Sequence, residues 1–204
     1  MKRAIEPKGY FLASINPVVR FLIISDIAII GAGGLLAPMF ALFIEDFIIG
    51  SNEMVVGLAA GIFLFTKSLV QIPAAHFIDR ILGEKDDFYI LFIATFITAL
   101  IPLSYLFINT PEQLYAVQFI YGIVTAFTFP SFMALFTHHI DKGREGTEWG
   151  VYFTLTDLTS AVFAALSGYL ALTYGFHGLI IGVSILMVAG ALFLLPIRHY
   201  IRKR

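Results

Sequence analysis

Six stretches of about twenty apolar residues, at 18–44, 54–78, 88–108, 114–137, 149–173 and 178–197, leave only short polar links between them. A run of that length is long enough to cross a bilayer as a helix. In hydrocarbon every backbone amide must bond within its own structure, so such runs form helices and not open sheets. The composition agrees, with 59% of the 204 residues hydrophobic and 13% charged, outside the range of a water-soluble globule. The expected fold is all-α: a polytopic membrane protein of six transmembrane helices spanning 18–197. A tail at 1–17 precedes it and a cationic tail at 198–204 follows. No link is long enough to hold a soluble domain. The protein's first partner is therefore the lipid bilayer, and no nucleic-acid partner is expected.

Charge placement sets the orientation. Of thirteen Lys and Arg residues, Lys2, Arg3, Lys8 and Arg20 precede or open the first span. Arg80 and Lys85 lie between spans two and three, Lys142 and Arg144 between four and five, and Arg198, Arg202, Lys203 and Arg204 after six. The links at 45–53, 109–113 and 174–177 contain neither Lys nor Arg. The excess of positive charge on cytoplasmic links predicts a multi-pass plasma-membrane (bacterial inner-membrane) protein with both termini in the cytoplasm. The N-terminus lacks a short apolar core ending at a small-residue cleavage site, so it reads as a retained tail.

One cation breaks the pattern. Lys67 lies in the middle of span two, and Asp26 and Asp157 lie within spans one and five. At about 1.5 Å per residue they are roughly 16, 12 and 12 Å from the cytoplasmic ends of their spans, so all three share one layer. Charges at that depth are costly and point to function by default. Gln71, one turn from Lys67, extends its polar stripe. These four residues are the candidate substrate or proton site, with Lys67 expected to pair with Asp26 or Asp157. The competing interpretation is a buried ion pair that only fixes helix packing.

Glycine and proline mark the backbone. Gly31, Gly33, Gly34 and Pro38 predict a bend or break in the outer half of span one, with close helix packing as the alternative. Gly57-x-x-x-Gly61 and Gly178-x-x-x-Gly182 read as packing motifs, and Pro73, Pro102 and Pro130 predict kinks. The absence of cysteine excludes disulfides, thiolate metal sites and Cys nucleophiles. His138 and His139 close span four without further ligands nearby, which suits an interfacial cap better than a metal site. No cofactor, metal or catalytic residue is expected.

From Ala75 to Lys85 the chain resembles the loop between helices two and three of the major facilitator superfamily, written G-x-x-x-D-R-x-G-R-R/K. Asp79 and Arg80 match, Ala75 replaces the leading glycine, Gly83 is displaced by one, and Glu84-Lys85 replace the basic pair. Asn16-Pro17-Val-Val-Arg20, Gln118-x-x-x-Gly122, Pro130 and Ser167-Gly168-Tyr-Leu also agree. Gln118 stands where many proton-coupled members have Arg, and Ala164-Ala165 replace the Gly-Pro of the antiporter motif, so drug/proton antiport is not implied. The resemblance implies a secondary transporter of a small organic solute, not an enzyme, with Asp79 and Arg80 as its gating loop. It also implies two inverted three-helix repeats, at 18–108 and 114–197, with the substrate held between two six-span halves. Six spans supply one half. The chain would then act as a parallel homodimer, favoured by its cationic end, or beside a second six-span half, or as part of a longer chain. The alternatives are an intramembrane enzyme or a non-transporting scaffold. The nearest match to a rhomboid-type nucleophile, Ala165-Leu-Ser167-Gly168, lacks the first glycine, with His177 only ten residues later. No phosphate loop or paired-His zinc motif is present.

Overall fold

The computed structural model describes residues 12–80 and 83–201. The basic residues expected at Lys2, Arg3, Lys8, Arg202, Lys203 and Arg204, and the loop residues Ile81 and Leu82, lie outside the described residues. Five long apolar helices carry the chain: α1 (Pro17–Phe47), α2 (Glu53–Arg80), α3 (Glu84–Ser104), α4 (Pro111–His139) and α5 (Glu145–Leu192). All five are long and apolar enough to cross a membrane.

The helix ends follow local chemistry. Asn16 accepts the Val18 amide proton at 2.9 Å, and Pro17 fills the first helical position, where a missing N–H costs nothing. At the start of α4, the Gln113 amide donates to the Thr110 hydroxyl while the Gln113 side chain accepts from the Thr110 amide, a reciprocal cap. At its end the His139 ring bonds the Leu135 carbonyl at 3.0 Å, satisfying a last-turn acceptor. His139 also lies 3.9 Å from Glu84 at the head of α3.

Helix α5, at 48 residues, is interrupted at Gly175, whose φ of 68° and ψ of 170° are not helical. Glycine reaches that backbone region without a Cβ penalty. Around this turn the chain reverses its course through the core. Tyr152 of the first arm belongs to a buried cluster with Ile15, Val18, Phe88, Phe136 and Leu194. Ile180, just past Gly175, belongs to a different cluster with Phe43, Ile44, Tyr105 and Leu114. Leu194 and Ile197 return to the first. One end of the bundle therefore gathers the start of α1, the head of α3, the end of α4, the start of α5 and the C-terminal turn. This basic end carries Arg80, Lys85, Lys142, Arg144 and Arg198.

Helix α1 is held by α5, α2 by α4, and α3 lies between α4 and α5. The break expected in span one is corrected. Helix α1 runs unbroken through Gly31, Gly33, Gly34 and Pro38. Its glycines serve contact instead: a Cβ on Gly31 would come within 2.7 Å of Thr159, and one on Gly34 within 2.6 Å of the Ser160 carbonyl oxygen. Gly190 on the second arm repeats the device against α1, 2.9 Å from the Ser25 carbonyl oxygen. Small residues allow such backbone approach where lipid gives helices no hydrophobic drive to associate. A second correction concerns Gly57, Gly61 and Gly182. Among the described residues nothing lies within 4 Å of a Cβ built on any of them, whereas Gly122 seats α4 against Phe63, Thr66 and Lys67 of α2.

Candidate functional site

Asp26 sits half-buried nine residues into α1, facing the first arm of α5. There the Tyr152 hydroxyl donates to its Oδ2 at 2.8 Å. Tyr152 is itself fixed by aromatic neighbours, with ring centroids 5.5 Å from Phe132, 5.6 Å from Trp149 and 5.0 Å from Phe153. A phenol clamped this way aims one donor at one carboxylate. An ionised carboxylate only accepts, whereas a protonated one also donates, so a proton arriving at Asp26 rewires this contact.

The other three residues of the layer are positioned differently. Lys67 and Gln71 are half-exposed along one flank of α2, and Asp157 is exposed on α5 five residues beyond Tyr152. Among the described residues no ion pair joins Lys67 to Asp26 or Asp157. The expected pairing within the chain is thus replaced by the Asp26–Tyr152 hydrogen bond. The physical reason lies in the packing: α2 rests on α4 while α1 rests on α5, so Lys67 and Asp26 belong to different helix pairs. Asp79 and Arg80 end α2 at the basic end, both exposed.

Two polar contacts were not anticipated from the sequence. Tyr152 carries no charge at neutral pH that would mark it in the sequence. Its position seven residues into α5, against nine for Asp26 in α1, is the signal that matches their depths. Gln118 is buried and donates through Nε2 to the Tyr105 hydroxyl at 3.3 Å, joining α4 to the 3-10 turn Tyr105–Phe107 after α3. It braces the bundle and does not belong to the Asp26 layer. At the basic end, Arg144 donates to the Ser14 carbonyl oxygen at 3.4 Å, tying the α4–α5 link to the N-terminal turn. Glu148, fully buried beneath it, accepts the Asp141 amide proton at 3.4 Å.

Comparison with known proteins agrees with this architecture. An uncharacterised MFS-type transporter, YitZ of Bacillus subtilis (strain 168), is 27% identical over 140 residues, covering 69% of this chain and 82% of the relative. No solved structure gives a significant match. A family model described as Major Facilitator Superfamily matches residues 22–203, which take in all five helices apart from the first turn of α1. The apolar helices, the placement of the basic links and this match over most of the sequence lead to one assignment: the chain belongs to the Major Facilitator Superfamily, whose members are membrane transporters and not enzymes.

Proposed function

We propose that this protein moves a small organic solute across the plasma membrane by alternating access, and that two copies with cytoplasmic termini form the complete transporter. Helix α5 would be about 72 Å long if straight, more than twice a hydrocarbon core of roughly 30 Å. Its reversal at Gly175 and its return to the end cluster support two crossings, hence six in all. Two inverted three-helix repeats, 18–108 and 114–197, then make up one half of a transporter of this family. Such halves share one orientation and hold substrate between them near the midplane.

The observation that carries this reading is the polar layer. Asp26 with its Tyr152 donor, Lys67 with Gln71, and Asp157 lie at similar depth on three helices. Polar groups at that depth line substrate or proton routes by default. Asp79 and Arg80 would gate the cytoplasmic side, with Asp79 of one copy facing the start of α5, near Gly150, in the other. A helix N-terminus favours a carboxylate by about 0.3–1 kcal/mol. Gly150 leaves room for this, since a Cβ there would meet nothing within 4 Å.

The test is reconstitution. Solutes that raise the thermal stability of the purified protein are offered to proteoliposomes, and uptake is compared with that of an Asp26→Asn, Lys67→Gln, Asp157→Asn variant. Uptake by the wild type and its loss in the folded variant are expected. Equal uptake by both would leave the layer as packing alone.

A further inference from the structure

Lys67 and Asp157 carry opposite charges, and among the described residues neither has an ion-pair or hydrogen-bonding partner. Lys67 lies thirteen residues from the basic end of α2 at Arg80, and Asp157 twelve from the start of α5 at Glu145. At about 1.5 Å per residue these are roughly 20 and 18 Å from the helix ends, too far for a lysine stem to reach the interface with ease. The two helices run in opposite directions, so residues near 67 and 157 meet at one level whenever α2 and α5 lie side by side. In this chain they do not pair in that way, because α2 rests on α4 and α5 on α1.

Both flanks are open. Leu64 and Ser68, flanking Lys67 on α2, are exposed, and Gly150 and Gly168, on the Asp157 face of α5, have nothing within 4 Å of a built Cβ. Thr154 and Ala161, flanking Asp157 on its own side of α5, are exposed. Charge complementarity at matched depth, with small residues to allow close approach, selects the occupant of these surfaces. We propose that Lys67 of one copy pairs with Asp157 of a second copy, twice around a two-fold axis, so that the partner completes the polar layer. This rests on the homodimer reading above and names the contact that it requires. An isologous interface presents each group to its complement in both directions, so both charges of both copies are satisfied together. A second copy supplies both complements at that level without any further protein.

The test separates a pair between copies from one within a copy. Lys67→Asp and Asp157→Lys are made in separately tagged chains, expressed alone and together, and dimers are counted in lipid nanodiscs by two-tag capture. A disulfide between Leu64→Cys of one copy and Ala161→Cys of the other reports the same contact in a chain with no native cysteine. Each single variant places like charges at the interface, and about tenfold less dimer than wild type is expected. Co-expression restores both pairs in the mixed dimer, so hetero-tagged dimer should return to the wild-type level and the disulfide should form. A pair within one chain would be rescued only by both changes in the same copy. Single variants that dimerise like wild type, or mixed dimer no more abundant than either single, overturn the proposal. The homodimer itself is scored apart from this pair, by two-tag capture of wild type and by an Asp79→Cys to Gly150→Cys cross-link between copies. Wild-type dimer without mixed rescue overturns the charge pair alone, whereas wild type that is monomeric in lipid overturns both.

Discussion

Removing the Tyr152 hydroxyl isolates a hydrogen bond that joins Asp26 of α1 to α5. Phenylalanine keeps the ring among Phe132, Trp149 and Phe153, so packing is preserved while Asp26 loses its donor. Hydrogen bonds between membrane helices contribute about 0.6 kcal/mol on average and up to about 1.7. At this chain length, Tyr152→Phe is expected to lower the midpoint of thermal unfolding by only about 2–4 °C. Uptake should fall much further, because the carboxylate that anchors the layer is then unsupported. A thermal melt read beside the proteoliposome assay checks this, and uptake that falls only in proportion to stability would make Tyr152 a packing residue. The residue scale also shows why Lys67 was misassigned to a partner in its own chain. Depth is readable from position along a span, but which helix lies beside which is not.

At the scale of elements, α1 and α5 depend on backbone proximity. Gly34 lies against the Ser160 carbonyl oxygen, which cannot swing aside as a side chain can, whereas Gly33, one residue earlier, faces open space. Gly34→Ala should therefore force the two helices apart, with overpacking of this kind costing about 1–3 kcal/mol. Gly33→Ala should be neutral or slightly stabilising, since alanine is the better helix former. Thermal unfolding of the two variants in one detergent checks the pair, and equal midpoints would count against the α1–α5 contact. The same reasoning separates glycine motifs that look alike in sequence. Gly122 is filled by α2, while Gly57 and Gly61, spaced as a packing motif, remain open.

For the whole molecule, the distribution of basic residues predicts a single orientation. Reporter fusions at Gly50, Asn109 and Gly175 should report the outside, and those at Glu84 and Gly143 the cytoplasm. A fusion at the C-terminus is the informative one, because an α5 that crossed once would not return the C-terminus to the side of Glu84. An outside signal at the C-terminus would remove the sixth crossing and with it the two inverted repeats. The bundle also leaves α2 with most of its apolar surface uncovered, with Ile72, Phe65 and Leu69 all exposed. A helix of this kind faces lipid or another protein, which is why the oligomeric state bears directly on the site.

Element type was legible from the amino-acid sequence because it is a one-dimensional property. Twenty apolar residues in hydrocarbon have no alternative to helix, and a charge's depth follows from counting along the axis. The Asp-Arg pair at 79–80 and the basic links were likewise readable in order along the chain. Pairing is three-dimensional and was decided by packing. The tertiary structure keeps α1 whole through Gly31, Gly34 and Pro38 because α5 closes onto it there, and places the backbone reversal at Gly175. It gives Asp26 to Tyr152 and leaves Lys67 open on a flank of α2, because α2 is seated on α4 through Gly122 and does not reach α1's carboxylate.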